Sequence, residues 1–325
     1  MKVAINGFGR IGRAFFKALQ QCSGQAVDGI EVVAINDLGD RENLEYLLKY
    51  DSVYGSFEGN LSGVEFLQER APEKLPWGEM NIDVVVESTG IFRTKELAQK
   101  HIDAGAKRVV ISAPSADATT ILVGANEDAL STCNISSNAS CTTNATNPII
   151  GILGEKLGIE KALLNTVHGY TATQRTVDGP SKKDFRRGRA AGVNIIPTTT
   201  GAAQATTKVY KDLDKKFDGI AMRVPVPAGS IIDITFVAGR DTNAEEVNNI
   251  LEGAAGSSRW QGIFAVTHEP LVSTDILGNP HASIADLSMT RVVGGNLVKV
   301  LSWYDNETGY ASSLVQHVLR AGQES

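Results

Sequence analysis

Cysteine is scarce in this chain: three residues, Cys22, Cys133 and Cys141, odd in number and far apart. That spacing excludes a disulfide framework and a zinc cluster, and it suits a reduced cytoplasmic protein. The five histidines form no H-x-x-x-H pair and no C-x-x-C accompanies them, so no metal site is expected. No apolar run approaches the ~20 residues of a membrane-spanning helix. Met1 leads directly into a strand-like segment rather than a leader, and the expectation is a cytoplasmic protein without membrane contact. Positive charge is also short, with 31 Lys and Arg against 37 Asp and Glu. The resulting net −6 argues against a broadly basic surface, and no dedicated nucleic-acid site is expected. With 42% hydrophobic and 21% charged residues, the 325-residue chain is globular and long enough for two domains with separate cores.

What is present is a strong alternation of strand and helix in the N-terminal third. K-V-A-I-N is a short apolar strand, Ile11 to Gln21 has helical spacing, and Ile30 to Asn36 is a second strand. Asp83 to Glu87 and Arg108 to Ser112 are two more, with a helix expected from Thr94 to Ala104 between them. Unbroken Val/Ile runs joined by helices indicate a parallel sheet covered on both faces. The pattern changes after Cys141. Residues 169–202 are polar and glycine-bearing, carry the cluster K-K-D-F-R-R-G-R, and read as one long loop, functional or buried against a partner subunit. Alternating strand-like segments follow at Ile220 to Val226, Ile231 to Ala238 and Leu297 to Trp303, then a helix from Glu307 to Leu319.

Gly7, Gly9 and Gly12 form G-x-G-x-x-G directly after the first strand, at the start of a helix. Glycines there allow a tight turn and close backbone approach to a pyrophosphate seated on the helix N-terminus. Asp37, closing the next strand, can accept hydrogen bonds from an adenosine ribose and repels a 2′-phosphate, which favours NAD over NADP. A plainer alternative is that Asp37 caps the helix that follows. The reading is an α/β protein. A Rossmann-type, mostly parallel sheet forms an NAD-binding domain over residues 1–140, to which the last helix (307–325) returns. Residues 141–306, including the loop 169–202, form a C-terminal α+β catalytic domain with a mixed or antiparallel sheet.

The most informative stretch is Ser137 to Asn144, S-N-A-S-C-T-T-N. It surrounds Cys141 with small hydroxyl and amide side chains, and T-T-N-A-T-N-P-I-I-G-I-L after it reads as a polar turn entering a helix, with Pro148 tolerable in its early part. A thiol attacks as its thiolate, and a helix N-terminus or nearby imidazolium lowers the cysteine pKa from about 8.5. Most free cysteines are inert and buried, and Cys22 and Cys133 suit that description. His168, in T-V-H-G-Y-T, is the best available base. Candidate anion ligands are Thr171, Thr198 to Thr200 before Gly201, the run Arg186 to Arg189, and Arg223. A dinucleotide and an activated thiol together suggest aldehyde oxidation through a thioester.

The chain resembles the phosphorylating glyceraldehyde-3-phosphate dehydrogenases along nearly its whole length. N-G-F-G-R-I-G-R, A-I-N-D, V-E-S-T-G, S-N-A-S-C-T-T-N, T-A-T-Q, I-I-P-T-T-T-G-A-A and S-W-Y-D-N-E-T-G-Y occur in the family's order. The resemblance implies that Cys141 is acylated and that His168 activates it and acts as acid and base. It implies cofactor contacts from Arg10, Ile11, Asp37, Arg70 and Ser112, with Asn306 holding the nicotinamide carboxamide. Thr171 and Arg223 match one phosphate pocket. Thr200 and Gly201 match the other, with Ser140 and Thr142 beside the thiol and Arg187 a further phosphate-pocket arginine. NAD, glyceraldehyde 3-phosphate and inorganic phosphate are the implied ligands. The loop after His168 resembles one that packs at a subunit interface, which implies a homotetramer.

Three features depart from the family pattern. The segment between Tyr54 and Trp77 is shorter than in many relatives, which bears on Arg70. Ala145 stands where a second cysteine is familiar, so Cys141 cannot form a disulfide to that position. Gly169 follows His168 where many relatives carry a larger residue. Two other functions remain open at this point: an erythrose-4-phosphate dehydrogenase, and a catalytically silent NAD-binding regulatory protein.

Overall fold

The computed structural model describes residues 1–21, 29–182 and 184–324, and Cys22 lies outside them. The chain divides into two compact units, Met1–Ser140 with the segment from Ala311 onward, and Cys141–Tyr310.

The first unit starts β1 (Lys2–Asn6), α1 (Arg10–Gln21), β2 (Glu31–Asn36) and α2 (Arg41–Lys49). A small hairpin, β3 (Tyr50–Asp51) and β4 (Gly55–Ser56), precedes β5 (Glu65–Leu67), β6 (Val84–Glu87) and α3 (Lys95–Asp103). Then come β7 (Arg108–Ile111), β8 (Thr119–Thr120) and β9 (Ile135–Ser137). The main sheet runs β5-β2-β1-β6-β7-β9-β8, and every pairing in it is parallel. Val84, Val85 and Val86 are all fully buried, as they must be when both faces of a sheet are covered. Burial of each contributes roughly 1.5–3 kcal/mol. Thr94 caps α3 by accepting from Leu97 N–H, and Asp40 caps α2 by accepting from Asn43 N–H. Asp37 is therefore not the cap.

The second unit opens with α4 (Cys141–Leu157), followed by β10 (Ile159–Gly169), β11 (Ile196–Thr199), α5 (Ala202–Thr207) and β12 (Phe217–Val224). It continues with β13 (Ser230–Ala238), α6 (Ala244–Ala255), β14 (Phe264–Thr267), β15 (Ser283–Val293) and β16 (Leu297–Tyr304). The sheet order is β11-β12-β10-β13-β16-β15-β14, with β10–β12 and β14–β15 parallel and the other pairs antiparallel. Helix α4 packs on strands of this sheet and against α5 and α6, so nearly every residue of its first three turns is buried.

Two expectations are corrected here. Residues 169–202 are not one continuous loop, because β11 forms inside them; its Pro197 is tolerated on an edge strand, which β11 is. The strand expected at Ile220–Val226 instead spans Phe217–Val224 and ends before Pro225, which has no N–H for the ladder.

The C-terminal helix α7 (Thr308–Gln323) carries His317, which is fully buried. Its Nε2 lies 2.9 Å from Ser136 Oγ and its Nδ1 lies 3.1 Å from Asn138 Oδ1. An amide oxygen only accepts, so Nδ1 carries the hydrogen and Nε2 receives the serine's. Burial, aided by the charge of Arg320, holds this imidazole down at about 3. The unfolded chain therefore binds a proton that the folded chain refuses between its ordinary value near 6.5 and 3. Stability is expected to fall as pH drops through that window. Denaturant midpoints taken from pH 7 to pH 4 check this, and a flat profile contradicts it.

Candidate active site

In the first unit, the glycine-rich turn between β1 and α1 borders a cavity of about 390 Å³ lined by Gly7, Gly9, Asp37, Arg70, Thr89 and Phe92, among others. Each glycine has its own reason to be there. Gly7 has φ 96°, and a Cβ on it would lie 2.6 Å from Thr89 N. A Cβ on Gly12 would lie 2.3 Å from the Gly7 carbonyl, whereas one on Gly9 would meet open space. That open flank, beside the first amides of α1, fits a pyrophosphate. Asp37 accepts from Phe8 N at 2.6 Å and from Gly39 N at 2.7 Å, which fixes its carboxylate at the cavity. Arg70 lines the same cavity despite the short segment before it. Arg10, Ile11 and Ser112 do not: Arg10 turns its guanidinium to Asp51 at 3.4 Å, and Ser112 closes β7 with its N–H on the Glu87 carbonyl.

In the second unit, α4 begins at Cys141 itself rather than after a polar turn. Ala139, two residues ahead, has φ 54°, a left-handed conformation that non-glycine residues adopt at a cost. Cys141 Sγ lies 3.4 Å from His168 Nε2. Cys141 is half-buried, and loss of water around its sulfur pushes the thiol up. The charge of Arg223, the hydroxyl and amide of Thr142, and the cysteine's own amide pull the other way, as a helix N-terminus should. Ala145, one turn along α4, is fully buried.

His168 and Arg223 face each other because β10 and β12 pair in parallel with these two residues in register. Arg223 Nη1 lies 2.6 Å from His168 Nδ1 and 2.9 Å from Gly169 O, while that carbonyl is itself 2.6 Å from Nδ1. One ring nitrogen cannot both accept from the guanidinium and donate to the carbonyl. A guanidinium only donates, so with Arg223 engaged Nδ1 accepts and the ring hydrogen sits on Nε2, facing sulfur. With Arg223 disengaged, Nδ1–H can donate to Gly169 O and Nε2 becomes free to take a proton. Burial, then Arg223, then the more remote Arg187 hold His168 at about 3, opposed only by the Gly169 carbonyl. Arg223 Nε is buried and makes no hydrogen bond among the described residues. A Cβ at Gly169 would lie 3.0 Å from the Val226 carbonyl, which is a packing reason for glycine there.

Of the remaining anion candidates, Thr171 follows β10, Arg186 and Arg187 lie between β10 and β11, and Thr200 and Gly201 follow β11. Thr171 Oγ1 is 2.9 Å from Thr173 Oγ1, and the Thr171 N–H donates to Gln174. Arg187 reaches Thr198 Oγ1 at 2.8 Å and Thr199 O at 3.1 Å, while Arg186 is exposed. Thr200 Oγ1 accepts from Ala202 N, and Gly201 has open space where a Cβ would stand. Ser140 is half-buried ahead of α4, and Asn306 Oδ1 accepts from Gly229 N and Ser230 Oγ.

This chain matches the model of the glyceraldehyde 3-phosphate dehydrogenase NAD binding domain at residues 1–95 and of the C-terminal domain at residues 140–306. The chain belongs to the glyceraldehyde-3-phosphate dehydrogenase family. It is 47% identical over 338 residues to glyceraldehyde-3-phosphate dehydrogenase 2 of Streptomyces avermitilis, covering 100% of this chain and 99% of the relative. It is 47% identical over 332 residues to the Clostridium pasteurianum enzyme, covering 97% and 96%. The Candida glabrata enzyme 1 is 45% identical over 331 residues, covering 98% of each chain.

Within this dehydrogenase fold, one group escaped the sequence reading. Tyr304, at the end of β16, is buried with its hydroxyl 2.9 Å from Thr142 Oγ1 and 2.8 Å from Thr166 Oγ1. Its ring meets the His168 imidazole edge-on at 5.9 Å. The hydroxyl chain Thr166–Tyr304–Thr142 thus ends at the sulfur. Position inside Y-D-N-E was the available signal, but it gave no partner.

Proposed function

We infer that this chain catalyses NAD-dependent oxidation and phosphorylation of D-glyceraldehyde 3-phosphate to 1,3-bisphosphoglycerate, a step of glycolysis and gluconeogenesis. The observation that carries this reading is a cysteine at a helix start 3.4 Å from a buried imidazole, in a chain with an NAD-binding domain. NAD, when bound, supplies the hydride acceptor. We assign the Gly7–Gly12 turn to its pyrophosphate, Asp37 to its ribose and Arg70 to a further contact in the cavity. On the family resemblance rather than the cavity lining, we assign Arg10, Ile11, Ser112 and Asn306 to contacts with the rest of the cofactor.

With Arg223 off Nδ1, Nδ1–H of His168 donates to the Gly169 carbonyl. The bare Nε2 takes the Cys141 thiol proton as sulfur adds to the aldehyde carbon, then gives it to the oxygen as that atom gains charge. The bare Nε2 then takes the hydroxyl proton of the thiohemiacetal as hydride leaves the same carbon, and a thioester remains on Cys141. An oxygen of inorganic phosphate attacks that thioester, the C–S bond breaks, and the thiolate is regenerated. Arg223 and Thr171 hold one phosphate group. Thr200, Gly201 and Arg187 hold the other, with Ser140 and Thr142 flanking the thiol. Arg187 is favoured over Arg186 because its charge is felt at both His168 and Arg223. Comparing glyceraldehyde 3-phosphate with erythrose 4-phosphate, with and without phosphate, tests the reading. A faster rate on the four-carbon sugar contradicts it.

Asp37→Ala is expected to raise the KM for NAD about tenfold and to narrow the NAD-over-NADP preference. An unchanged ratio of the two kcat/KM values removes Asp37 from the ribose assignment. We also propose a cytoplasmic homotetramer. No helix among the described residues is long and apolar enough to cross a membrane. Phe185, Val193, Val177 and Ile195, all on the 169–202 segment, are 88%, 78%, 73% and 68% exposed in the single chain, as interface residues would be. A solution mass of one chain contradicts the assembly.

A further inference from the structure

Under the dinucleotide cavity lies a run of buried polar side chains to which no role has yet been given. Glu87, the last residue of β6, is 1% exposed. Its carboxylate accepts four hydrogen bonds: Oε1 from the Thr89 N–H and the Thr89 hydroxyl, Oε2 from Asn6 Nδ2 and His101 Nε2. The tautomer of His101 follows from its other neighbour. Trp77 Nε1, which can only donate, lies 3.0 Å from His101 Nδ1, so Nδ1 accepts and Nε2 carries the hydrogen given to Glu87. Trp77 and His101 are both fully buried.

From Glu87 the run crosses the sheet along the carboxyl ends of its strands. Asn6, at the end of β1, accepts on Oδ1 from Asn36 Nδ2 at 2.7 Å. Asn36, at the end of β2, donates to the Glu69 carbonyl at 2.9 Å and accepts from Glu69 N at 2.8 Å. Asn6, Asn36, Glu69 and Thr89 all line the cavity. The His101 ring also meets Phe92, another lining residue, edge-on at 6.1 Å. Gly7, whose turn borders the cavity, packs against the Thr89 backbone so closely that no Cβ fits. Ser88 Oγ donates to the Gly7 carbonyl at 2.6 Å and so ties the two segments again.

We propose that Glu87 and His101 are positioning residues for the cofactor, which hold Thr89, Asn6 and the Gly7 turn in place before NAD arrives. The proposal rests on the NAD assignment of this cavity. A carboxylate suits the position because every one of its partners donates. A glutamine there sets its own NH2 against either the Thr89 donors or those of Asn6 and His101. A buried group of this kind that loses one partner leaves the others unsatisfied, and the floor of the cavity shifts or loosens. Binding then has to order what the network had already ordered.

The test uses full-length Glu87→Gln, His101→Leu and His101→Gln, the last keeping one donor for Glu87. NAD is titrated by calorimetry, steady-state kinetics are taken against NAD, and the iodoacetamide rate at Cys141 is measured without NAD. The expected result is a weakening of NAD binding by about tenfold or more for Glu87→Gln and His101→Leu, with partial recovery in His101→Gln. KM for NAD rises with it while kcat at saturating NAD stays within about threefold, and the alkylation rate is unchanged. Wild-type NAD affinity in a folded Glu87→Gln overturns the proposal. If that variant does not fold, wild-type affinity in both His101 variants overturns it. Affinity and kcat falling together in step with thermal stability assigns a structural role instead. A wild-type protein that binds no NAD sinks the cofactor assignment itself, which is a separate failure.

Discussion

Cys141→Ser is expected to lower the rate of NADH formation from glyceraldehyde 3-phosphate on the order of 10⁴-fold or more. The physical reason lies in how little the site does for a hydroxyl. A serine oxygen at the start of α4 meets the same burial that already pushes the thiol up. Its intrinsic acidity is far weaker, so neither the Thr142 amide nor the charge of Arg223 can bring an alkoxide within reach at neutral pH. The substitution removes one polarisable atom and should leave NAD affinity and thermal midpoint near those of the parent. A Cys141→Ser protein retaining a tenth of the parent rate contradicts the role given to the thiol.

His168→Asn comes next, with an expected loss of about 10²–10⁴-fold in kcat. His168 Nε2 lies 3.4 Å from the sulfur and is proposed to exchange a proton with both the thiol and the oxygen of the adduct. Removing it also removes a stabiliser of the thiolate, so the midpoint of Cys141 alkylation should move to higher pH. The sign follows from the geometry: burial raises a thiol, and an Nε2–H placed 3.4 Å from the sulfur would favour the thiolate by donating to it. Alkylation rates followed from pH 5 to pH 10 check it. An unchanged midpoint separates His168 from the activation of Cys141.

The parts of this molecule that rest on local chemistry were legible in the sequence. The unbroken Val84–Val86 run declared a strand covered on both faces. The three glycines declared a turn: Gly7 proved to have a conformational and a steric reason, Gly12 a steric one, and Gly9 leaves an open flank. Cys141 stood out because its neighbours are small and polar, although the sequence placed the helix start too late. What depends on register was not legible. His168 and Arg223 are 55 positions apart and touch only because β10 and β12 pair in parallel with those residues opposed. The consequence, a guanidinium deciding which ring nitrogen carries the hydrogen, has no local sequence signature. Tyr304 reaches Thr142 and Thr166 only through the packing of three elements. β11 went unseen because a proline and two threonines look like loop until an edge position is available for them. Glu87 looked like the polar end of an apolar strand, and its four donors come from three residues, Asn6, Thr89 and His101, two of them far from it along the chain.

Cys141 is proposed to become a thioester that phosphate releases. Mixing NAD and glyceraldehyde 3-phosphate with the protein in phosphate-free buffer, and following NADH absorbance on the millisecond scale, tests it most directly. The expected trace is a rapid burst of about one NADH per active site, then near arrest, then sustained turnover on addition of phosphate. Turnover that proceeds at the same rate with and without phosphate, or the absence of a burst, contradicts it.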